Sequence, residues 1–248
     1  MRFGVCGSTE EAPTFLAAGF DYVELAANPL VRYDRGVWMP DREVEARHRE
    51  LRVEATNLFF AGHVSIYGPG EPWRAYVQCL IPLAASLGVR TMVVGSGGVR
   101  RAPDGEEIEY EVRFARICGE IAAMGRQHGV VIAPESLRSG ETNVGNDLGR
   151  LARLLAENGV GYCADVYHVL SENASPDWRD QVPASPSHVH LSSPDRQAPS
   201  SSDRSLQAFF GRLRECRYQG RVSLECGRVG YPAQVADWLR AARALASG

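Results

Sequence analysis

The sequence of 248 residues has no long hydrophobic run, no excess of basic residues and no closely spaced pair of cysteines. A membrane-spanning helix needs about 18 or more consecutive apolar residues, and the chain contains no such run. The formal net charge is −3, so the chain lacks the basic surplus that holds a phosphate backbone. These absences argue against a membrane protein and against nucleic acid as a partner.

The six cysteines stand at positions 6, 79, 118, 163, 216 and 226, and no two of them form a CxxC pair. Several lie in apolar runs, where a reduced thiol behaves as a small hydrophobic side chain. The first residues also lack the basic-then-apolar pattern of a secretory signal. We therefore expect reduced, buried cysteines in a cytoplasmic protein, without a disulfide framework or a zinc knuckle.

The chain does contain a regular alternation of strand-like and helix-like segments. The runs predicted as strands are Arg2–Cys6, Asp21–Ala26, Asn57–Phe60, Arg90–Gly95, Gly129–Ala133, Gly159–Ala164, Ser187–Leu191 and Arg221–Glu225. The segments predicted as helices are 8–19, 41–55, 71–88, 106–128, 146–158, 203–216 and 231–246. Alternating strands and helices predict a parallel sheet, and eight strands in about 250 residues are typical of a closed barrel. We predict one domain over residues 1–248, folded as a single (β/α)8 TIM barrel.

Polar residues stand at the carboxyl ends of the last four predicted strands. They are Glu135, Asp165, His190 and Glu225. In such a barrel these ends converge on one mouth, where most of the chemistry of the fold is found. Three carboxylates and one imidazole are a suitable ligand set for a divalent cation, and without a cation the carboxylates would repel one another. The residues alone leave two interpretations, a metal site or a salt-bridged mouth.

The spacing around these residues resembles that of the xylose-isomerase-like barrels, a superfamily that includes sugar isomerases, ketose 3-epimerases and endonuclease-IV-type enzymes. The resemblance covers essentially the whole chain and is carried by the segments APESLRSGETN, ADVYH, HVHLSSPDR and SLECGR. Ketose 3-epimerases have a second Glu six residues after the first metal Glu, a His three after the metal Asp and an Arg six after the metal His. The corresponding residues here are Glu141, His168 and Arg196.

The resemblance implies a function and a role for each residue. Glu135, Asp165, His190 and Glu225 would bind one metal ion; Mn²⁺ is the expected metal, and the set also suits Mg²⁺, Co²⁺ and Zn²⁺. Glu135 and Glu225 would also be the catalytic acid–base pair, and Glu141, His168 and Arg196 would bind the substrate. The predicted activity is therefore a divalent-metal-dependent isomerase or epimerase of sugars, sugar phosphates or polyols. Relatives of this kind are often homodimers or homotetramers.

Three other functions remain open at this stage. An inosose-dehydratase-like lyase would begin with the same proton abstraction and then expel a hydroxyl group. A non-catalytic sugar-binding barrel would not need two opposed carboxylates. An endonuclease-IV-like nuclease is disfavoured because the segment after His190 lacks the Asp-x-His pair that completes a three-metal cluster.

Other polar residues have two interpretations each. Glu24 lies within the second strand and could reach the mouth, although a structural ion pair is commoner, and His63 follows the third strand. We expect His188 to pack outside the barrel. The glycine-rich turn SGGVRR at 96–101 could cradle a phosphate, although solvated arginines are commoner on loops. The aromatic residues that could wall the pocket or simply pack are Trp38, Tyr67 and Trp73.

Overall fold

The computed structural model describes residues 1–173, 182 and 184–248, with the side chains of residues 172 and 173 left out. Within this part of the chain the predicted (β/α)8 barrel is confirmed. The barrel strands are β1 Arg2–Cys6, β2 Tyr22–Ala26, β5 Val53–Asn57, β6 Thr91–Val94, β7 Val131–Pro134, β8 Cys163–Asp165, β9 His188–Leu191 and β10 Arg221–Leu224. They pair in parallel in the order β7-β6-β5-β2-β1-β10-β9-β8.

The outer layer consists of helices that follow the barrel strands along the chain. They are α1 Ala12–Ala17, α2 Arg42–Arg49, α3 Trp73–Ser86, α4 Glu107–Gln127, α5 Leu148–Glu157, α6 Val166–Asn173, α7 Arg204–Glu215 and α8 Val235–Ser247. Aspartates begin three of them: Asp41, Asp147 and Asp203 each accept hydrogen bonds from backbone N–H groups of the first turn. None of the helices in the described residues is long and apolar enough to cross a membrane. The six cysteines are free thiols; Cys6, Cys118 and Cys163 are buried as expected, whereas Cys79, Cys216 and Cys226 are half-buried.

The third barrel strand lies earlier in the chain than predicted. The structure places β5 at Val53–Asn57, whereas the apolar run suggested Asn57–Phe60. Leu58 has a φ of 43°, a left-handed conformation that ends the strand. Phe59 and Phe60 are buried in the following loop instead, so their hydrophobicity reflects core packing and not strand pairing.

A short hairpin follows β2, in a stretch where the sequence pattern predicted no strand. It consists of β3 Val31–Asp34 and β4 Val37–Pro40, which pair antiparallel. Its turn residues Arg35 and Gly36 have φ values of 48° and 88°, as in the type I′ turns that suit two-residue hairpin loops. The hairpin adds two short strands outside the barrel sheet.

Within the described part of the chain, one isolated bridge joins the two ends of the sheet order, β7 and β8. Glu135, directly after β7, forms an isolated parallel bridge with Cys163 of β8. Pro134 at the end of β7 has no N–H to donate, so regular pairing cannot continue from it. The closure therefore falls at one of the predicted site residues.

Candidate metal centre

The four residues predicted as metal ligands come together at the barrel mouth. Asp165 is the last residue of β8 and stands in register with His190 of β9. Glu225 follows β10, and its N–H donates to the Leu191 carbonyl at 2.9 Å. Glu135 is fixed by the closing bridge. Parallel pairing thus places all four side chains at one edge, as the alternation of the sequence predicted.

Their polar atoms meet around one imidazole nitrogen. His190 Nδ1 lies 3.0 Å from Glu135 Oε1, 3.0 Å from Glu225 Oε2 and 3.9 Å from Asp165 Oδ2. One ligand atom from each of the four residues lies within 4.8 Å of the others. Three carboxylates this close repel one another unless positive charge is present. Three oxygen donors and one nitrogen donor at these separations fit a divalent cation.

Burial and charge act on this cluster in opposite directions. Burial raises the pKa of Glu135 above its ordinary value, and the neighbouring His190 offsets only part of that effect. Burial would raise the pKa of Asp165 as well, but His168 and Arg196 lower it. Burial disfavours the His190 imidazolium, yet the surrounding negative groups, Glu24 among them, raise its pKa well above the ordinary value. The site therefore attracts positive charge.

The three residues predicted to bind substrate surround the same cluster. Arg196 donates from Nη1 to Asp165 Oδ2 at 2.8 Å and from Nη2 to Glu225 Oε2 at 2.7 Å. His168 is buried, with Nε2 3.6 Å from Asp165 Oδ2 and 4.0 Å from Glu141 Oε2. Glu141 lies farther out, where its side chain is 38% exposed. The sequence offsets thus correspond to real neighbours, and their roles remain a prediction.

The glycine-rich turn after β6 supports Glu135. A Cβ at Gly95 would lie 2.7 Å from Glu135 Oε2, so the carboxylate occupies space that only glycine leaves free. Arg100 is buried, contrary to the solvated arginine expected there, and its Nη1 donates to the Glu135 carbonyl at 2.8 Å. Its guanidinium also lies 4.8 Å from the Phe114 ring centroid. Arg100 therefore holds the segment that carries Glu135.

Two other groups of side chains could in principle hold a metal ion, and both include His190. They are Cys6 with Glu24 and His190, and Glu135 with Cys163 and His190. Burial raises the pKa of both thiols well above the ordinary value. A metal-binding cysteine must lose its proton, which burial makes less favourable at both positions. His63 belongs to no such group among the described residues.

His188 points into the barrel, so the expectation that it packs outside was wrong. Residues two apart in a strand share a face, and His188 and His190 are two apart on β9. Both rings are buried and contact the Glu24 carboxylate, at 2.9 Å from His188 Nε2 and 2.8 Å from His190 Nε2. Glu24 therefore makes the ion pair predicted for it, directly beneath the cluster.

The aromatic residues considered for the pocket wall have different positions. Trp73 is fully buried and belongs to the core. Tyr67 is half-buried and donates to the Arg100 carbonyl at 3.2 Å. Trp38, on the β3–β4 hairpin, stacks on the exposed ring of His63, with centroids 5.3 Å apart and an interplanar angle of 15°. Packing explains Trp73 and Tyr67, and only Trp38 lies beside a solvent-facing ring.

The same architecture recurs in known proteins. The sequence profile of the family described as xylose isomerase-like TIM barrel matches residues 15–246, which is nearly the whole chain. The chain belongs to this family. No curated protein sequence matches the chain.

Solved structures similar to this xylose isomerase-like barrel cover its full length. A D-psicose 3-epimerase in the presence of D-fructose superposes with a TM-score of 0.82 at 15% identity, covering 100% of both chains. A 3-keto-D-glucoside 4-epimerase from E. coli has a TM-score of 0.72 at 22% identity, covering 98% of this chain and 99% of that chain. An L-ribulose 3-epimerase has a TM-score of 0.71 at 17% identity, covering 99% and 93%. At these identities the likeness shows a shared fold.

Sequence reasoning missed several contributors to the site. Tyr167 lies between two arginines, with its ring centroid 4.6 Å from the Arg196 guanidinium carbon and 4.7 Å from that of Arg138. Its position directly between Asp165 and His168 was a usable signal. Arg100 carried no such signal, because a loop arginine is ordinarily exposed.

Proposed function

We propose that the protein is an epimerase or isomerase of ketoses or related sugars that uses one divalent metal ion. The observation that carries this proposal is the approach of Glu135 and Glu225, from separate strands, to within 3.0 Å of the same nitrogen of His190. Inverting a carbon requires one group to remove a proton and another to return it on the opposite face. Similar barrels that are named as psicose, ribulose and keto-glucoside epimerases support the reaction class.

The cluster would hold the cation through the ligand atoms of Glu135, Asp165, His190 and Glu225. A divalent cation bound there would polarise a carbonyl oxygen and make the neighbouring C–H bond more acidic. We propose Mn²⁺, because three carboxylates and one imidazole suit a metal that accepts both oxygen and nitrogen donors. The remaining steps depend on the side chains of this chain.

Glu135 and Glu225 differ in environment. The Glu135 side chain is 7% exposed, so its carboxylate is sheltered from water inside the mouth. The Glu225 side chain is 26% exposed, so it faces the open side of the mouth. One carboxylate would remove the proton from its face of the sugar while the other delivers a proton to the opposite face. For the epimer of that sugar the two roles would be exchanged.

Arg196 and His168 would handle the charge that develops on oxygen. Arg196 remains cationic at all relevant pH values and presents its two Nη groups to the cluster. Fixed donors aimed at a developing oxyanion stabilise the transition state without further reorganisation. Glu141, at the partly exposed edge of the site, would accept hydrogen bonds from hydroxyl groups farther along the sugar.

The reaction is tested by incubating a panel of ketoses in D₂O with the Mn²⁺-loaded protein and following the products by NMR. We expect deuterium at the carbon next to the carbonyl, formation of an epimer or isomer, and no loss of water. Replacing either base, as Glu135→Gln or Glu225→Gln, should slow the reaction by about 10²–10⁴-fold. EDTA-treated protein is the matching control.

The other outcomes identify the alternatives. An unsaturated product with loss of water would indicate the dehydratase reaction. Sugar binding that survives both Gln substitutions, with no exchange for any sugar, would indicate a binding protein. Metal dependence is tested separately by elemental analysis and by the thermal shift with Mn²⁺, which His190→Ala should abolish.

A further inference from the structure

A second polar group lies in the barrel interior, beneath the metal centre. Glu24 of β2 and His188 of β9 are both 0% exposed. Glu24 Oε2 lies 2.9 Å from His188 Nε2, and Glu24 Oε1 lies 2.8 Å from His190 Nε2. Ser223 Oγ extends the group, 3.2 Å from His188 Nε2 and 2.8 Å from the Tyr22 hydroxyl. Within the described residues, Glu24 is the member of this buried group that makes a hydrogen bond with the cluster, through His190.

The two nitrogens of His190 therefore face two different sets of carboxylates. Nδ1 faces Glu135 and Glu225, at 3.0 Å from each. Within the described residues, Glu24 is the one carboxylate that faces Nε2. In a neutral imidazole one nitrogen carries the proton and the other carries the lone pair, and the hydrogen bond at one nitrogen decides which is which. A carboxylate can only accept, so the Glu24 contact requires a proton on Nε2, and a cation held by Glu135 and Glu225 would take the place of a proton on Nδ1.

We infer that Glu24 is a positioning residue that fixes the His190 ring with its Nδ1 lone pair directed at the metal site. The inference rests on the divalent cation of the proposed function. Ligating histidines typically donate their second N–H to a carboxylate, which fixes the orientation of the ring and strengthens the ligand. Glu24 has the position, the burial and the acceptor chemistry for this role.

His188 holds the positioning carboxylate in place. A carboxylate with one partner can rotate about its terminal bond, whereas Glu24 has a separate imidazole at each oxygen. Ser223 and Tyr22 in turn restrain His188 through the buried chain of hydroxyl contacts. A buried carboxylate also needs such partners to offset its loss of hydration. The arrangement connects β2, β9 and β10 across the interior of the barrel.

A purely structural ion pair makes a different prediction. If Glu24 only stabilised the fold, its replacement would lower the free energy of unfolding and leave the metal affinity of the folded protein unchanged. If it positions His190, its replacement weakens metal binding in protein that remains folded. Glu24→Gln keeps the shape of the side chain and removes the charge. Glu111→Gln is the matched control, because Glu111 has an 8% exposed side chain and pairs with Arg150 at 2.6 Å on the outer helices.

The experiment measures the Mn²⁺ dissociation constant of both variants by calorimetry, together with ¹⁵N spectra of the histidine rings in the Mg²⁺-loaded wild type. We expect Glu24→Gln to bind Mn²⁺ about 10–100-fold more weakly than wild type, and Glu111→Gln to bind it equally well. The wild-type spectrum should show His190 protonated at Nε2. Unchanged Mn²⁺ affinity in folded Glu24→Gln, or a His190 ring protonated at Nδ1, would overturn the inference.

Neither readout requires a sugar, so the inference and the proposed reaction can fail separately. A wild type that binds Mn²⁺ with a Glu24-dependent affinity but exchanges no ketose proton supports the positioning role and refutes the epimerase. A wild type that binds neither Mn²⁺ nor Mg²⁺ refutes both. If Glu24→Gln does not fold, the wild-type ring spectrum still decides, because it involves no substitution.

Discussion

Replacing Arg196 by methionine should separate metal binding from turnover. The substitution keeps an unbranched side chain but shortens it and removes the guanidinium, which contacts Asp165 Oδ2 at 2.8 Å and Glu225 Oε2 at 2.7 Å. Those two oxygens belong to the predicted metal ligands. Arg196→Met leaves all four predicted ligands in place, so we expect the variant to retain its Mn²⁺ affinity. Turnover should fall by about 10²–10³-fold, because the variant lacks a donor to the oxyanion.

Arg196→Met should also lower the free energy of unfolding of the metal-free protein. A charge pair about 4 Å apart at an effective dielectric of about 20 attracts by about 4 kcal/mol, most of which is offset by lost hydration. The Arg196 side chain is 31% exposed, so its net contribution lies between those of surface and buried pairs, about 2 kcal/mol. For a chain of this size we expect a melting temperature about 4–8 °C lower in EDTA. Saturating Mn²⁺ at about 100 times its dissociation constant should restore about 2.7 kcal/mol.

The assay compares Arg196→Met with Arg221→Met in thermal melts with EDTA and with Mn²⁺, and in the D₂O exchange reaction. Arg221 is a fair control because it binds Glu54 through two nitrogens, at 3.1 Å and 2.9 Å, near the start of β10. The Arg221→Met variant should be less stable than wild type both in EDTA and in Mn²⁺, and its turnover per folded molecule should be unchanged. Loss of Mn²⁺ binding in Arg196→Met would refute the reasoning, because it would show that Arg196 organises the ligands and does not serve the substrate.

Two further substitutions test the surroundings of the site. Gly95→Ala would place a Cβ 2.7 Å from Glu135 Oε2. Because the Glu135 carboxylate can rotate away from this Cβ, we expect a folded protein whose rate of deuterium exchange into the sugar falls about 10²-fold. An unchanged exchange rate would contradict the close contact between Gly95 and Glu135. The Glu11–Arg228 hydrogen bond lowers the pKa of Glu11 below 4.5, so its stabilisation is present above that pH and lost as the pH falls through the lowered pKa. At pH 7 the free energy of unfolding of wild type should therefore be higher than that of Glu11→Gln by about 1 kcal/mol or less. Chemical denaturation should show this difference disappearing in acid. A difference that grew in acid would contradict the predicted direction.

The sequence predicted the barrel because each barrel strand is a short apolar run followed by a helical pattern. It misplaced β5 because hydrophobicity alone does not distinguish a paired strand from a buried loop. Phe59 and Phe60 supply core packing, while β5 at Val53–Asn57 has the less apolar sequence. The hairpin was missed because four-residue strands are too short to show an alternation.

The candidate site has an upper layer, the carboxylate cluster around His190, and a lower layer, the Glu24–His188 group beneath it. The sequence predicted the upper layer better than the lower one. The upper layer follows from topology, since the end of every parallel strand lies at the mouth and the polar residues at those ends can be read directly. The lower layer depends on contacts across the barrel interior, such as Glu24 with His188, which are 164 residues apart. No local pattern encodes that pairing, and the side of the strand assigned to His188 was wrong as well.

The two layers together explain why position 190 carries an imidazole. A carboxylate there would stand between Glu24 on one side and Glu135 and Glu225 on the other, which now contact the two nitrogens of His190, and it would be repelled from both sides. An ammonium group would satisfy every carboxylate but would offer no lone pair to a cation. An imidazole can donate to Glu24 from Nε2 and offer a lone pair from Nδ1, so it is the side chain that would let an interior carboxylate and the proposed metal site share one residue.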